Sequence, residues 1–204
     1  MKLHWSPRSP FVRKVMIFAH ETGLADRFER VRTVVAMRKP NAELMRDNPL
    51  SKLPTLVLDD GRALFDSLVI CEYLDGLHAG EPLVPLAGSE RWEVLRWHSL
   101  GSGFLDMLVL WRNERDRERE RQLPDLLQAF AAKNHATLAR LEEEAAALDG
   151  APFRIGHISI ACALGYLDFR FPDMDWRNGH PRAAGWFAAV SQRPSVRLTM
   201  PVDD

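Results

Sequence analysis

The sequence has little cysteine and no excess of charge of either sign. Its 204 residues include two cysteines, Cys71 and Cys162, which lie far apart and outside any C-x-x-C pair. This pattern predicts neither a disulfide framework nor a structural metal site. The 27 lysines and arginines are balanced by 28 aspartates and glutamates, so the broad basic surface of a dedicated nucleic-acid-binding domain is not expected.

Long apolar runs are missing as well. The strongest ones, residues 107–111 and 158–167, are shorter than the roughly 20 residues that a helix needs to cross a bilayer. The sequence starts with strand-like and helix-like patterns, without the apolar segment and small-residue cleavage site of a secretory signal. We therefore expect a cytoplasmic protein that does not enter a membrane.

The hydrophobic pattern changes near residue 80. Residues 1–76 mix strand-like and helix-like segments, whereas the chain from Ser89 onward has helical patterns throughout. Residues 77–88 contain two prolines and two glycines, which forbid a continuous helix. We predict a first domain at 1–76, a linker at 77–88 and an all-helical domain at 89–204.

The first domain is predicted to have the element order β-α-β-α-β-β-α. Its elements are a strand at 2–5, a helix at 10–22, a strand at 28–35, a short helix or turn at 41–47, hairpin strands at 55–58 and 63–65, and a helix from 66 to about 76. The β-α-β crossover implies a parallel pair of strands, and the hairpin adds antiparallel strands. This is the order of a thioredoxin-like domain.

The second domain is predicted to consist of helices. They lie at 89–115, 124–147, 157–171 and 181–191. The predicted fold class is therefore α/β plus all-α, a thioredoxin-like domain followed by a helical bundle.

Three junctions between elements carry the candidate chemistry. Ser9, followed by Pro10, has the signature of a helix N-cap, where backbone N–H groups and the helix dipole favour an anion. Pro54 begins a strand, and Asp66-Ser67 caps the next helix. Each feature alone is ordinary structure, but a thioredoxin-like topology would bring all three together.

The choice of Ser9 rests on its position. Ser6 is also followed by a proline, but the helical apolar pattern begins at Phe11, which favours Ser9 as the residue at the helix start.

Five segments carry a family resemblance over the whole chain. They are residues 9–15 (Ser-Pro-Phe-Val-Arg-Lys-Val), 48–56 (Asn-Pro-Leu-Ser-Lys-Leu-Pro-Thr-Leu), 65–74 (Phe-Asp-Ser-Leu-Val-Ile-Cys-Glu-Tyr-Leu), 161–169 and 193–195. In these segments the sequence resembles the glutathione transferase superfamily. The resemblance implies a thioredoxin-like domain that binds glutathione, a helical domain that supplies the second-substrate site, and a homodimer.

By this resemblance Ser9 is the catalytic residue, a hydrogen-bond donor to the glutathione sulfur rather than a nucleophile. A hydrogen bond to a charged group is worth about 1.5 to 3 kcal/mol, and one pKa unit corresponds to about 1.36 kcal/mol. One such bond would lower the thiol pKa by roughly one to two units. Starting from a free thiol near ~8.5, this makes thiolate abundant at neutral pH.

The resemblance also implies the contacts that hold glutathione. The main chain of Leu53, before a cis Pro54, would pair with the cysteinyl backbone, although the sequence leaves the cis or trans state open. Asp66 and Ser67 would hold the γ-glutamyl end. The glycine carboxylate would meet lysines that are otherwise solvated, Lys52 and Lys39.

The sequence departs from the family in two places. Many members have an Asp-Gly pair where this chain has Ser102-Gly103, so a charge contact with the γ-glutamyl group would be lost. Asp106 is a candidate substitute, or simply an exposed helical residue. The capping box that usually opens the central helix of the second domain is expected to be absent, with Arg154 and His157 in its place, and His157 is predicted to be structural.

The second-substrate pocket is expected between the domains. Its candidate residues are Trp5 and Phe11 and, on one face of the first long helix, Phe104, Leu108 and Trp111. Alternatively, the three residues on the helix face belong to the core or to a dimer contact. The aromatic side chains among the candidate pocket residues suggest an apolar electrophile.

The resemblance therefore implies a glutathione transferase that conjugates glutathione and needs no metal or redox cofactor. Alternatives are peroxide reduction, isomerase or dehalogenase chemistry, and a non-catalytic binding protein with the same fold. The physiological role stays open among detoxification, catabolism and stress response.

Overall fold

The computed structural model describes residues 1–203 and divides the chain into two units. The first comprises Met1–Arg91 together with the residues from Pro194 onward, and the second comprises Trp92–Arg193. Of the helices in residues 1–203, none combines the length and apolar character needed to cross a bilayer.

The first unit has the predicted element order. Its elements are β1 (Lys2–Trp5), α1 (Pro10–Glu21), β2 (Glu29–Arg32), α2 (Leu44–Asp47), β3 (Thr55–Val57), β4 (Ala63–Leu64) and α3 (Ser67–Asp75). The sheet order is β2-β1-β3-β4, with β1 and β2 parallel and the two other pairs antiparallel. The thioredoxin-like arrangement is confirmed.

The core of the first unit lies where α1 and α3 pack together and α3 packs on β3. Its fully buried residues include Leu3 of the sheet, Phe18 of α1 and Leu74 of α3. The short helix predicted at 41–47 is confined to Leu44–Asp47, because the Asn41 side chain accepts the N–H groups of Glu43 and Leu44 and forms a turn.

The second unit is helical, as predicted. Its helices are α4 (Gly88–Arg115, which begins in the first unit), a short 3-10 turn (Arg119–Arg121), α5 (Pro124–Gly150), α6 (Ile155–Arg170) and α7 (Pro181–Val190). Helices α4 and α6 approach closely. A Cβ built on Gly101 would lie 2.6 Å from the backbone nitrogen of Ile160, and one built on Gly156 would lie 2.8 Å from the carbonyl oxygen of Val94.

The residues after α7 differ from the prediction. The sequence assigns 89–204 to the helical domain, but α8 (Pro194–Arg197) and the residues that follow group with the first unit. The reason is that α8 packs on α1. The buried guanidinium of Arg13 donates through Nη2 to the carbonyl of Val196 at 3.3 Å, and the hydroxyl of Ser195 donates to Glu21.

The start of α6 has one half of the capping box that the sequence analysis expected to be absent, the bond from the third helical residue back to the N-cap. The backbone N–H of Arg154 donates to Nδ1 of His157 at 3.2 Å, so an imidazole supplies the acceptor usually provided by an acidic side chain. Nε2 of the same ring donates to the carbonyl of Leu148 at 3.0 Å. His157 is buried and holds two chain segments together, as its predicted structural role requires.

This buried imidazole makes stability depend on pH. Burial lowers the pKa of His157 below its ordinary value of 6.5, so the folded protein favours the neutral ring. The unfolded chain binds the proton more readily. The stabilisation by neutral His157 is therefore complete above about pH 6.5 and declines as the pH falls below this value toward the folded-state pKa.

We expect the free energy of unfolding to fall less steeply in His157→Gln than in the wild type between about pH 7 and about pH 5. Glutamine supplies an acceptor and a donor but does not titrate. Urea denaturation of both proteins at each pH measures the difference. Equal pH dependence in the two proteins would show that His157 does not contribute.

Candidate active site

Ser9 lies at the N-cap of α1, as predicted. Its backbone is extended (φ −82°, ψ 116°), and its hydroxyl oxygen accepts the N–H of Val12 at 3.3 Å. Pro10 occupies the first turn. Because the hydroxyl oxygen is the acceptor in this bond, its hydrogen remains available for donation to a ligand.

The sheet brings the three predicted junctions to one end. His4 of β1 pairs with Thr55 of antiparallel β3, so the end of β1 lies beside the start of β3. Leu64 at the end of β4 pairs with Leu56 near the start of β3. The segments that carry Ser9, Pro54 and Asp66 therefore leave the sheet at the same end.

The loop before β3 has backbone groups that can form hydrogen bonds with a ligand. The Leu53-Pro54 peptide bond is cis, which answers the question that the sequence left open. Among the described residues, no backbone or side-chain hydrogen bond engages the N–H or carbonyl of Leu53. An extended ligand can pair with these groups as an added strand does.

Asn48 holds this loop in place, a role that the sequence analysis did not assign. The buried side chain donates to the carbonyl of Lys52 at 3.3 Å and to the hydroxyl of Thr55 at 2.9 Å. It also accepts the N–H of Leu50 at 3.0 Å. An asparagine at the start of an Asn-Pro turn is the sequence signal that points to such a role.

Helix α3 begins with the predicted cap. Asp66 is exposed, and one of its carboxylate oxygens accepts the N–H of Leu68 at 3.0 Å. Ser67 is buried, and its hydroxyl oxygen accepts a hydrogen bond from Nζ of Lys14 at 3.3 Å. Lys14 is fully buried on α1 and was not singled out from the sequence.

The two other predicted lysines, Lys52 and Lys39, are exposed. Lys52 directly precedes the cis peptide, and the backbone N–H of Lys39 bonds to the carbonyl of Ala36 at 3.1 Å. Their contact with a glycine carboxylate remains a prediction.

A cavity of about 70 Å³ lies beside Ser9 within the first unit. It is lined by Trp5, Ser6, Pro7, Ser9, Val12, Arg13, Met16, His20, Arg30, Leu198, Thr199 and Met200. Of the predicted second-substrate residues, Trp5 lines this cavity and Phe11 does not. The guanidinium of Arg30 lies 5.8 Å from the centre of the Trp5 ring.

The three predicted pocket residues of α4 are buried. Phe104, Leu108 and Trp111 are 3%, 0% and 9% exposed. The Trp111 ring lies 6.2 Å from that of Phe130 and 5.0 Å from that of Phe171, which makes it part of the core of the second unit. Their burial agrees with the alternative that these residues form a core contact. A role in substrate binding remains a prediction.

Ser102 faces His98, its neighbour one turn earlier on α4. Its hydroxyl lies 3.4 Å from Nε2 of the imidazole, and Nδ1 of the same ring lies 2.8 Å from the hydroxyl of Ser159. Asp106, the candidate substitute, is exposed.

Comparison with known proteins decides the family. Residues 8–77 match the family model of the N-terminal domain of glutathione S-transferase, and residues 124–189 match that of its C-terminal domain. The uncharacterized GST-like protein YibF of Escherichia coli (strain K12) is 31% identical over 98% of each chain. The chain belongs to the glutathione S-transferase family.

Solved structures of glutathione transferase family members resemble this chain over almost its whole length. A family member from Pseudomonas fluorescens Pf-5 with bound glutathione is 45% identical, with a TM-score of 0.95 over 99% of both chains. A structure from the same source with bound S-(propanoic acid)-glutathione is 43% identical, with a TM-score of 0.91 over 100% of both chains. The resemblance inferred from the sequence is confirmed.

Proposed function

We propose that this transferase binds glutathione and lowers the pKa of its thiol by a hydrogen bond from the Ser9 hydroxyl. The thiolate then attacks an electrophilic carbon of a second, apolar substrate. The observation that carries the proposal is the Ser9 geometry. The hydroxyl accepts the Val12 N–H at 3.3 Å, which directs its own hydrogen away from the helix at the positive end of the helix dipole.

Other groups at the same end of the sheet as Ser9 support the proposed placement of glutathione. The free backbone groups of Leu53 suit the cysteinyl residue, and the start of α3 with Asp66 and Ser67 suits the γ-glutamyl end. Lys52 and Lys39 are the proposed partners of the glycine carboxylate. Relatives at 45% and 43% identity contain glutathione or a sulfur-substituted glutathione, which supports glutathione as the ligand here too.

The cavity beside Ser9 has both apolar and basic walls. Trp5, Val12 and Met16 lie on its apolar side, which supports an apolar second substrate, whereas Arg13, His20 and Arg30 are basic. We further propose a homodimer in the cytoplasm, with glutathione as co-substrate and no other cofactor. Phe11 is a further proposed residue of the second-substrate site, whereas Phe104, Leu108 and Trp111 are buried in the core of the second unit.

Ultraviolet titration of the thiolate of bound glutathione tests the activation step. We expect the thiol pKa to be lower on the wild-type protein than in free solution by roughly one to two units, and to return toward ~8.5 on Ser9→Ala. Ser6→Ala is the matched control, because Ser6 lies in the same loop and its hydroxyl accepts the N–H of Arg8 at 3.4 Å. A thiol pKa that does not respond to Ser9 would contradict the mechanism, and no binding of glutathione by the wild type would favour the non-catalytic alternative.

A further inference from the structure

We propose that Lys14 is a positioning residue for the γ-glutamyl carboxylate of glutathione and that it acts through Ser67. The inference rests on the proposed function, because it assumes that glutathione occupies the start of α3. Lys14 and Ser67 lie on different helices, and the contact between Nζ and the hydroxyl oxygen, at 3.3 Å, joins α1 to α3.

The direction of this hydrogen bond determines what Ser67 can do. An ammonium group only donates, so the Ser67 oxygen is the acceptor and the hydroxyl hydrogen must point elsewhere. Ser67 is the first residue of α3, where backbone N–H groups also face outward. Its hydrogen is therefore available to an acceptor at the helix start, such as a carboxylate.

As an ammonium group, Lys14 would strengthen the same arrangement. The side chain is 0% exposed, and its Nζ lies 5.3 Å from the centre of the Phe11 ring. A fully buried lysine is rare because desolvation of its charge is costly. In a protein interior, a charged donor behind a hydroxyl polarises it and makes it a stronger donor to an anion.

Binding of two peptides separates this role from simple packing. Glutathione and cysteinylglycine share the thiol and the glycine carboxylate, but only glutathione has the γ-glutamyl carboxylate. By isothermal titration calorimetry we expect Lys14→Met to weaken glutathione binding by about twofold to fivefold, because the bond from Ser67 to the carboxylate remains and loses only the strengthening supplied by the donor behind it. Binding of cysteinylglycine should be unchanged.

Two further lysine variants serve as matched controls. Lys52→Met removes the proposed partner of the glycine carboxylate, so it should weaken both peptides. Lys133→Met removes an exposed lysine of α5 and should weaken neither. Equal weakening of both peptides by Lys14→Met, or no weakening of either, would overturn the inference.

A double-mutant cycle tests the route through Ser67. If Lys14 acts through this hydroxyl, Lys14→Met should weaken glutathione binding much less in a Ser67→Ala background than in the wild type. Full additivity of the two losses would contradict the route. Lys14→Gln keeps a neutral donor and gives a second variant if the methionine protein does not fold, with an intermediate loss expected.

The kinetics give an independent readout. Lys14→Met should raise KM for glutathione while leaving kcat and the thiol pKa of bound glutathione near their wild-type values, because Ser9 is intact. A fall in kcat with unchanged KM would contradict a positioning role. Failure of the wild type to bind glutathione would overturn the proposed function as well, whereas normal binding by both the wild type and Lys14→Met overturns this inference alone.

Discussion

Ser9→Ala is expected to lower the rate of glutathione conjugation to chlorodinitrobenzene at pH 7 by about eightfold to twenty-five-fold, since the thiol pKa would rise by roughly one to two units to ~8.5 and the thiolate fraction would fall accordingly. The deficit should shrink as the pH rises, because the thiolate then forms without help from the enzyme. KM for glutathione should change little, since the other proposed contacts are intact. The measurement is a pH profile of kcat and kcat/KM for both proteins.

Loss of the helix cap is the main complication of that variant. Replacement of an N-cap serine by alanine costs about 0.5 to 2 kcal/mol of stability, whereas replacement by glycine costs only a few tenths. Ser9→Gly therefore removes the hydroxyl and largely preserves α1. It should show the same kinetic defect as Ser9→Ala with a smaller shift in Tm.

Ser6→Ala is the control for the loop itself, and its pH profile should match that of the wild type. The assignment of Ser9 would be wrong if Ser6→Ala carried the kinetic defect, or if Ser9→Gly kept the wild-type rate.

Gly101→Ala is expected to destabilise the second unit by about 1 to 3 kcal/mol or more. The new Cβ would lie 2.6 Å from the backbone nitrogen of Ile160 and from the carbonyl carbon of Ser159, so α4 and α6 would have to separate. Backbone atoms cannot turn aside as a flexible side chain can. Urea denaturation, followed by circular dichroism, measures the loss.

Gly103→Ala provides a matched control on the same helix. An ideal Cβ at Gly103 meets no atom within 4 Å. Because alanine favours the helix over glycine by roughly 0.5 to 1 kcal/mol, this substitution should be neutral or stabilising. Gly101→Ala is thus expected to destabilise the protein and Gly103→Ala is not, and a Gly101→Ala protein as stable as the wild type would contradict the close approach of α4 and α6.

Local sequence patterns were sufficient to predict most elements of the fold. The cap at Ser9 and the turn of the β3–β4 hairpin each depend on a few neighbouring residues, and both are found where the sequence predicts them. The convergence of the three junctions was also predictable, since it follows from the order of the elements.

The features that were missed depend on distant partners. Lys14 and Ser67 are 53 residues apart, and nothing near either residue indicates their contact. His157 was recognised as structural, but its use as a cap acceptor was not, because an imidazole accepts only in its neutral form and the burial that favours this form here depends on distant parts of the chain. The assignment of the C-terminal residues failed for a similar reason, since a four-residue helix shows no pattern that reveals what it packs against.

The packing of α8 on α1 has a consequence for synthesis on the ribosome. The first unit is built from two separate segments, with the whole of Trp92–Arg193 between them in sequence. The carbonyl of Val196, which accepts from the buried Arg13 guanidinium, is translated only after the whole of the second unit. The first segment can therefore begin to fold early, but the surface of α1 that α8 covers stays open to other proteins until α8 has been translated.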